Sequence, residues 1–259
     1  MRNDAIKLEE GRLIQNGAEE KPFLHERHRV FPAVFEDRKH KRILDVAAGV
    51  GYAAQHIQKE YPGQIFCNDL SPTCLKNLRL LNLPVTRYSI DNDGARFPFA
   101  SNSFDAVIAL ATIEHVIQVD DFVKEIYNIL DDEGCFYVSA PNYAGIQYLL
   151  PVLTSGRTFH DPLDPAMKYE FYAHVRYFTY RTLLEFIPQF GFVPEAVYLP
   201  LPKKSSNYSA LMSKSKIKAF LYRTGMSFFY HLSPRWASEP ILCFRKTHNR
   251  SINYRKVLL

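Results

Sequence analysis

Nowhere in the 259 residues do about 18 uncharged apolar positions follow one another, which excludes a membrane-spanning helix. The opening stretch, MRNDAIKLEEGRLIQNG, lacks the apolar centre of a secretion signal, so none is expected. Cysteine is scarce. Cys67, Cys74, Cys135 and Cys243 are scattered without metal-ligand spacing, and the expectation is free, buried thiols in a reducing compartment. Acid is nearly absent from the C-terminal quarter. From residue 201 onward twelve Lys or Arg face the single acid Glu239, a net +11, whereas the first 200 residues carry a net −6. A basic quarter suits an anionic substrate, a nucleic acid or a lipid surface, and equally a solvated face. The expected location is the cytoplasm, or its membrane periphery.

What is present is enough apolar residue (47%) for one sizeable core. After a polar start with a short helical stretch, FLHERHRVFPAVF, strands and helices alternate. RILDVA (42–47), QIFCNDL (64–70), PVTRYSI (84–90), FDAVIALA (104–111) and CFYVSA (135–140) read as strands, the last after a DDEG turn. Ser71 reads as an N-cap with Pro72 at the first helical position, and a helix over 120–130 turns Phe122, Ile126 and Ile129 inward. Residues 141–178 are aromatic and lack a period. A helix capped by Thr179 and closed by Gly191 follows, then strands at 192–199 and 240–246. The fold class is therefore α/β: a Rossmann-like, doubly wound, seven-stranded and mostly parallel sheet. The expected divisions are an N-terminal lid (1–38) and a catalytic domain (39–247), with an aromatic substrate cap at 141–178 and a basic helical insertion at 203–238. A loose basic tail occupies 248–259.

ILDVAAGVGYAA (43–54) offers Gly49, Gly51 and Ala54 in a G-x-G-x-x-A loop, with Ala47 where a related D-x-G-x-G-x-G loop has its first glycine. Gly49 and Gly51 would let backbone approach a ligand, and Ala54 would let the helix pack on the sheet. Asp69, with Leu70 after it, ends the second strand where a carboxylate accepts ribose hydroxyls. That suits NAD and S-adenosylmethionine alike. Asp45 discriminates, because a carboxylate repels a pyrophosphate and attracts an ammonium or sulfonium; at about 4 Å that term is several times RT even at an effective dielectric of 20. A loop-capping role for Asp45 is the alternative.

These residues resemble a class I S-adenosylmethionine-dependent methyltransferase. The resemblance rests on LDVAAGVG (44–51), NDLS (68–71), DGARFPFASNSFDAVIALATIEHV (93–116) and LDDEGCFYVSAPN (130–142), and FTYRTLLEFIPQFGF (178–192) sits where that family has a helix. It implies S-adenosylmethionine as cofactor, with Asp45, Ala47, Gly49 and Gly51 around its methionine part and Asp69 at its ribose. Asp93 or Asp91 would meet the adenine beside Gly94, and Ala111 the sulfonium end. If the acceptor is a hydroxyl, a base helps, and His115, His160 and His174 are the candidates, each with a structural role as its alternative. For Glu114 the structural role is favoured. His25 and His28 would belong to the lid.

No metal is expected, since His160, Asp161 and His174 have the residue types of a ligand set but no known spacing. APNY (140–143) is similar to the NPPY signature of amide and adenine methylation, yet it follows the fifth strand rather than the fourth. Residues 209–232 read as a helix broken at Gly225, whose apolar residues pack on the domain while its lysines frame a groove. The expected acceptor is a small molecule or glycan, anionic or lipid-linked, methylated on oxygen. The alternatives are an RNA methyltransferase using the basic quarter, and a non-catalytic cofactor-binding or interaction protein of the same fold.

Overall fold

The structure is a computed structural model. It describes residues 7, 10–11, 13–14, 31, 34–35, 38–60, 64–91, 94, 96–158, 160–164, 168–199, 206–237, 239–247 and 254–258. His25, His28, Asp93, Phe159 and most of the expected lid and tail lie outside the described residues.

Among the described residues eight strands form one sheet: β1 (Arg42–Asp45), β2 (Gln64–Asn68), β3 (Val85–Thr86), β4 (Phe104–Leu110), β5 (Leu130–Ser139), β6 (Phe192–Leu199), β7 (Ile241–Lys246) and β8 (Arg255–Leu258). Their order is β3-β2-β1-β4-β5-β7-β6-β8. The first five are parallel, β7 is antiparallel to both β5 and β6, and β8 is parallel to β6. The order reverses between β1 and β4, so their carboxyl ends open the crevice where such folds bind ligands.

The helices are α1 (Tyr52–Glu60), α2 (Pro72–Leu80), α3 (Val119–Ile129), α4 (Ile146–Ser155), α5 (Lys168–Ala173), α6 (Tyr180–Phe186), α7 (Ser206–Lys214) and α8 (Lys216–Leu232). Ser71 caps α2 by accepting from the Cys74 N–H, with Pro72 opening the helix. Thr179 and Thr182 form a reciprocal cap on α6, and Gly191 closes the following turn in the left-handed region. Alternate strand residues feed two apolar layers. Leu44, Val107, Phe136 and Val138 meet Phe122, Ile126 and Ile129 of α3 on one face. Ile43, Ile65, Ile108 and Tyr137 meet Ala54 and Ile57 of α1 on the other. Full burial of each large α3 side chain contributes about 1.5–3 kcal/mol. All four cysteines are free and buried.

Several expectations need correcting. β3 covers only Val85–Thr86 instead of 84–90, because the Asn68 side chain takes over the ladder: its Oδ1 accepts from Tyr88 N (2.9 Å) and its Nδ2 donates to Tyr88 O (3.1 Å). β5 begins at Leu130, paired with Phe104, so DDEG is an irregularity inside the strand. Gly134 is required there, since a Cβ would stand 2.8 Å from the Asp131 carbonyl. The expected tail ends in an eighth strand, which pairs the otherwise open edge of β6.

The C-terminal helix breaks at Ser215, not Gly225. Ser215 is extended and caps α8, whereas Gly225 lies inside the helix at a cost of about 1 kcal/mol. Its apolar residues do not all pack on the domain. Ala219 and Tyr230 are buried, while Ile217, Leu221, Phe228 and Leu232, all on the opposite side, are 63–74% exposed. Of the 1–38 segment, Phe31, Val34 and Phe35 are core residues packed with Tyr137.

Candidate functional site

The β1–α1 loop is tied to the end of β2 by backbone and carboxylate. Ala48 N donates to Asn68 O (3.0 Å), Gly49 N to Asp69 Oδ2 (2.9 Å) and Ser71 N to Asp69 Oδ1 (2.8 Å). Asp69 therefore fixes the loop. Gly49 has φ +57°, and a Cβ there would meet nothing within 4 Å, so its open side is room for a ligand. Gly51 is also needed for packing. Its φ is +85°, and a Cβ would stand 2.7 Å from Leu78 Cδ2, so its close approach is to α2. Ala47 tolerates a side chain at the position of the absent glycine, and its N–H makes a long 3.3 Å bond to Asp45 Oδ1.

Asp45 is fully buried, and burial pushes its carboxyl up to about 7; the Ala47 N–H opposes this and the Asp69 charge adds to it. A buried carboxyl held there is short of a cation. That fits the α-ammonium of S-adenosylmethionine and does not fit a pyrophosphate. Tyr88, close enough to feel the Asp45 charge, has a buried hydroxyl with no hydrogen-bond partner among the described residues. Asp91 accepts from Gln118 N (2.8 Å) at the start of α3, so its carboxylate already has a structural role, while Gly94 is exposed with φ +62°. Leu70 is half-buried beside Asp69.

At the exit of β4, Ala111 has φ +45°, a region L residues avoid, and its N–H donates to Ser139 O and Oγ (3.0 and 3.1 Å). A short 3-10 turn, Ile113–His115, follows. The 141–178 segment docks there: Val175 N and Arg176 N donate to Glu114 O (2.9 and 3.0 Å), and His115 Nδ1 donates to Ala173 O (3.0 Å). The three candidate histidines come together. His115 and His174 have ring centroids 4.7 Å apart and His174 and His160 5.0 Å. The Tyr143 hydroxyl bridges His160 Nε2 (2.9 Å) and His174 Nδ1 (2.8 Å). Burial pulls His160 below its usual range, against the nearby Glu170 carboxylate.

Sequence reasoning missed four contributors. Tyr143 and Asn142 come from the APNY stretch that was set aside. Asn142 accepts from Tyr180 N (2.9 Å) and donates to the carbonyls of Arg235 and Ala237 (2.7 Å each), which anchors the C-terminal helices. Glu114, given a structural role, is 1% exposed and its Oε1 lies 3.9 Å from His115 Nε2. Glu10 accepts from the Ser71 and Thr73 hydroxyls, and Leu13 packs on Cys74 and Val50, so the N-terminal segment reaches the cofactor loop. For Glu10 the polar character of its segment was visible but its long-range partner was not.

Residues 44–138 match the model of the methyltransferase domain family. That stretch carries a methyltransferase domain and is consistent with a class I S-adenosylmethionine-dependent methyltransferase. The cofactor of that family is S-adenosylmethionine. The chain is 32% identical over 93 residues to mouse mitochondrial arginine-hydroxylase NDUFAF5, covering 36% of this chain and 26% of that one. It is 29% identical over 105 residues to norajmaline N-methyltransferase of Rauvolfia serpentina, covering 38% and 36%. It thus spans about a quarter to a third of the length of these relatives. Phosphoethanolamine N-methyltransferase 2 of Haemonchus contortus, solved with S-adenosyl-L-methionine, shares the fold at TM-score 0.55 and 17% identity over 86% of this chain and 52% of that one. The [4+2]-cyclase SpnF does so at TM-score 0.55 and 17% identity, over 86% and 82%. A hydroxylase and a cyclase among these show that the fold does not fix the reaction. Among the described residues no helix is long and apolar enough to cross a membrane.

Proposed function

We propose that this methyltransferase moves a methyl group from S-adenosylmethionine to an oxygen of a small-molecule or glycan acceptor. The observation that carries the reading is the pairing of two sites at one sheet edge: the Asp45–Asp69 loop after β1, and the His115–His174–Tyr143–His160 cluster after β4. Bound S-adenosylmethionine supplies an activated methyl group on a sulfonium. The rest falls to the chain. Asp45 holds the ammonium, Asp69 the ribose, Asp93 with Gly94 the adenine, and the backbone at Ala47, Gly49 and Gly51 frames the methionine part. Ala111 lies at the reacting end.

A hydroxyl must lose its proton as its oxygen attacks the methyl carbon and the carbon–sulfur bond breaks. A histidine of the cluster, His115 first, accepts that proton, an effect of about 10²–10⁴-fold in comparable sites. Alignment by the aromatic cap supplies more, up to roughly 7–11 kcal/mol in well-ordered systems. Nitrogen is the second reading, favoured by the norajmaline relative; a neutral amine is already nucleophilic and asks less of a base.

Calorimetry with S-adenosylmethionine and with NAD on the wild-type chain tests the reading. Binding of the first and not the second is expected, and NAD binding alone overturns it. Salt-steep RNA binding with no turnover of glycans or small hydroxyl compounds would instead favour the basic quarter as an RNA surface.

A further inference from the structure

The histidine cluster has a feature that a proton acceptor alone does not require. One ligand atom from each of Glu114, His115 and His174 lies within 4.8 Å of the others. His115 Nδ1 faces the Ala173 carbonyl at 3.0 Å, and a carbonyl only accepts, so Nδ1 carries the proton. His115 Nε2 lies 3.9 Å from the chain's own Glu114 Oε1. His174 Nδ1 is 2.8 Å from the Tyr143 hydroxyl, which also reaches His160 Nε2. His174 offers one ring nitrogen to the same group of ligand atoms. His115 thus has one nitrogen held by an outer carbonyl and the other on the side of the group, the arrangement of a metal-bound imidazole. Two imidazoles and a buried carboxylate this close together form a donor set that a cation can bridge.

We propose that Glu114, His115 and His174 bind a divalent first-row transition-metal ion, with coordination positions left for an acceptor oxygen. Two imidazoles and one carboxylate are the donor types that suit zinc or iron(II). Donors on one ion at about 2.0–2.2 Å stand roughly 3–3.5 Å apart, so the three side chains need to close by an ångström or so from their widest separation. The set differs from His160, Asp161 and His174: Asp161 is engaged by Arg157 (3.3 Å) and by Leu163 N (2.9 Å). A second group, Cys135, Glu195 and Cys243, also has ligand types within range. There Glu195 is already neutralised by Arg38 and by Arg245 at 2.5 Å, which leaves little need for a cation.

The ion's role rests on the methyl-transfer reading above. With the ion bound, His115 and His174 serve as ligands in place of the base described above: the acceptor hydroxyl on the ion ionises more easily and gives its proton to water, and its oxygen then attacks the methyl carbon as the carbon–sulfur bond breaks.

The test uses the untagged full chain, stripped with chelator and dialysed against Zn2+ at micromolar concentration, with bound metal counted by elemental analysis. One equivalent is expected, with affinity at least tenfold weaker in Glu114→Gln and His174→Ala and unchanged in Cys243→Ser. A wild-type chain that takes up no zinc overturns the proposal, as does zinc lost in Cys243→Ser and kept in His174→Ala. If the variants do not fold, the wild-type Co2+ spectrum decides: a nitrogen–oxygen ligand field supports the site, and a thiolate charge-transfer band overturns it. S-adenosylmethionine calorimetry runs beside it. Cofactor binding without metal defeats only the metal site, and metal without cofactor defeats only the methyl-transfer reading.

Discussion

The β1–β5 half of the sheet and the segments that cover it are built on different kinds of signal. In the first half, function depends on spacing along the chain: a strand, Asp45, a glycine loop, and Asp69 at the next strand end. In the cover, function depends on residues far apart in sequence meeting in space, as Tyr143, His160 and His174 do around one hydroxyl. On the proposed reading, the first half binds its cofactor by fixed backbone and one buried carboxylate. The cover brings adjustable side chains to the same edge. A fold arranged so can keep its cofactor while changing its acceptor by rebuilding only the cover.

The sharpest way to break this comparison is to remove the charge from the loop. Asp45 ionises in the folded chain only near pH 7, well above the value near 3.8 of an unburied carboxyl. Its folded-state value is raised, so this group favours folding at low pH, and that contribution is lost as pH rises from about 3.8 to about 7. A bound ammonium stabilises the carboxylate, so cofactor affinity should rise through pH 7 and level off above it. Asp45→Asn should then weaken S-adenosylmethionine roughly 10–100-fold, the loss of one charged hydrogen bond, while raising the stability of the unliganded chain at pH 8 by about 1–3 kcal/mol. Calorimetry and urea melts at pH 6 and pH 8 read both. Unchanged affinity in the variant would remove Asp45 from the cofactor site.

A second contrast lies within α8. Its inner face holds Ala219 and Tyr230, and its outer face Ile217, Leu221, Phe228 and Leu232. Ala219→Leu should cost about 1–2 kcal/mol through overpacking. Phe228→Lys should change stability by less than about 0.5 kcal/mol, because nothing among the described residues covers that ring. Urea melts distinguish them. A cost for Phe228→Lys as large as that for Ala219→Leu would mean that something covers the outer face.

What could be read from the sequence follows the same division. The parallel strands, the Ser71 and Thr179 caps and the loop carboxylates were legible, since each is set by a pattern within about twenty residues. β8 was not, because Arg255–Leu258 shows no strand pattern and is recruited by an open edge on β6. The end of β3 was lost to one side chain, Asn68, whose competition with the ladder has no sequence signature. The break at Ser215 turned on which of two weak signals wins. An N-cap satisfies helix N–H groups, while a glycine only weakens a helix that tertiary contacts already hold. The histidines were named from their place after β4 and in the aromatic segment, but Tyr143, which joins two of them, was one aromatic among many.

The smallest expected effect tests the seam between the two regions. Ala111 ends β4 in the left-handed region at φ +45°, held by two hydrogen bonds to Ser139. A non-glycine residue there costs about 1–2 kcal/mol, and glycine removes that strain. Glycine also frees the unfolded chain, which returns about 0.4–1 kcal/mol of the gain. Ala111→Gly should therefore stabilise the protein by less than about 1 kcal/mol, since the two terms nearly cancel. Its effect on turnover should exceed its effect on stability, because the same bend sets where the turn carrying Glu114 and His115 meets the cofactor loop. S-adenosylmethionine affinity belongs to the loop and should stay within about twofold of wild type, a difference under ~0.5 kcal/mol. A variant that loses cofactor affinity and turnover together would show that the loop and the cover do not act as separate parts.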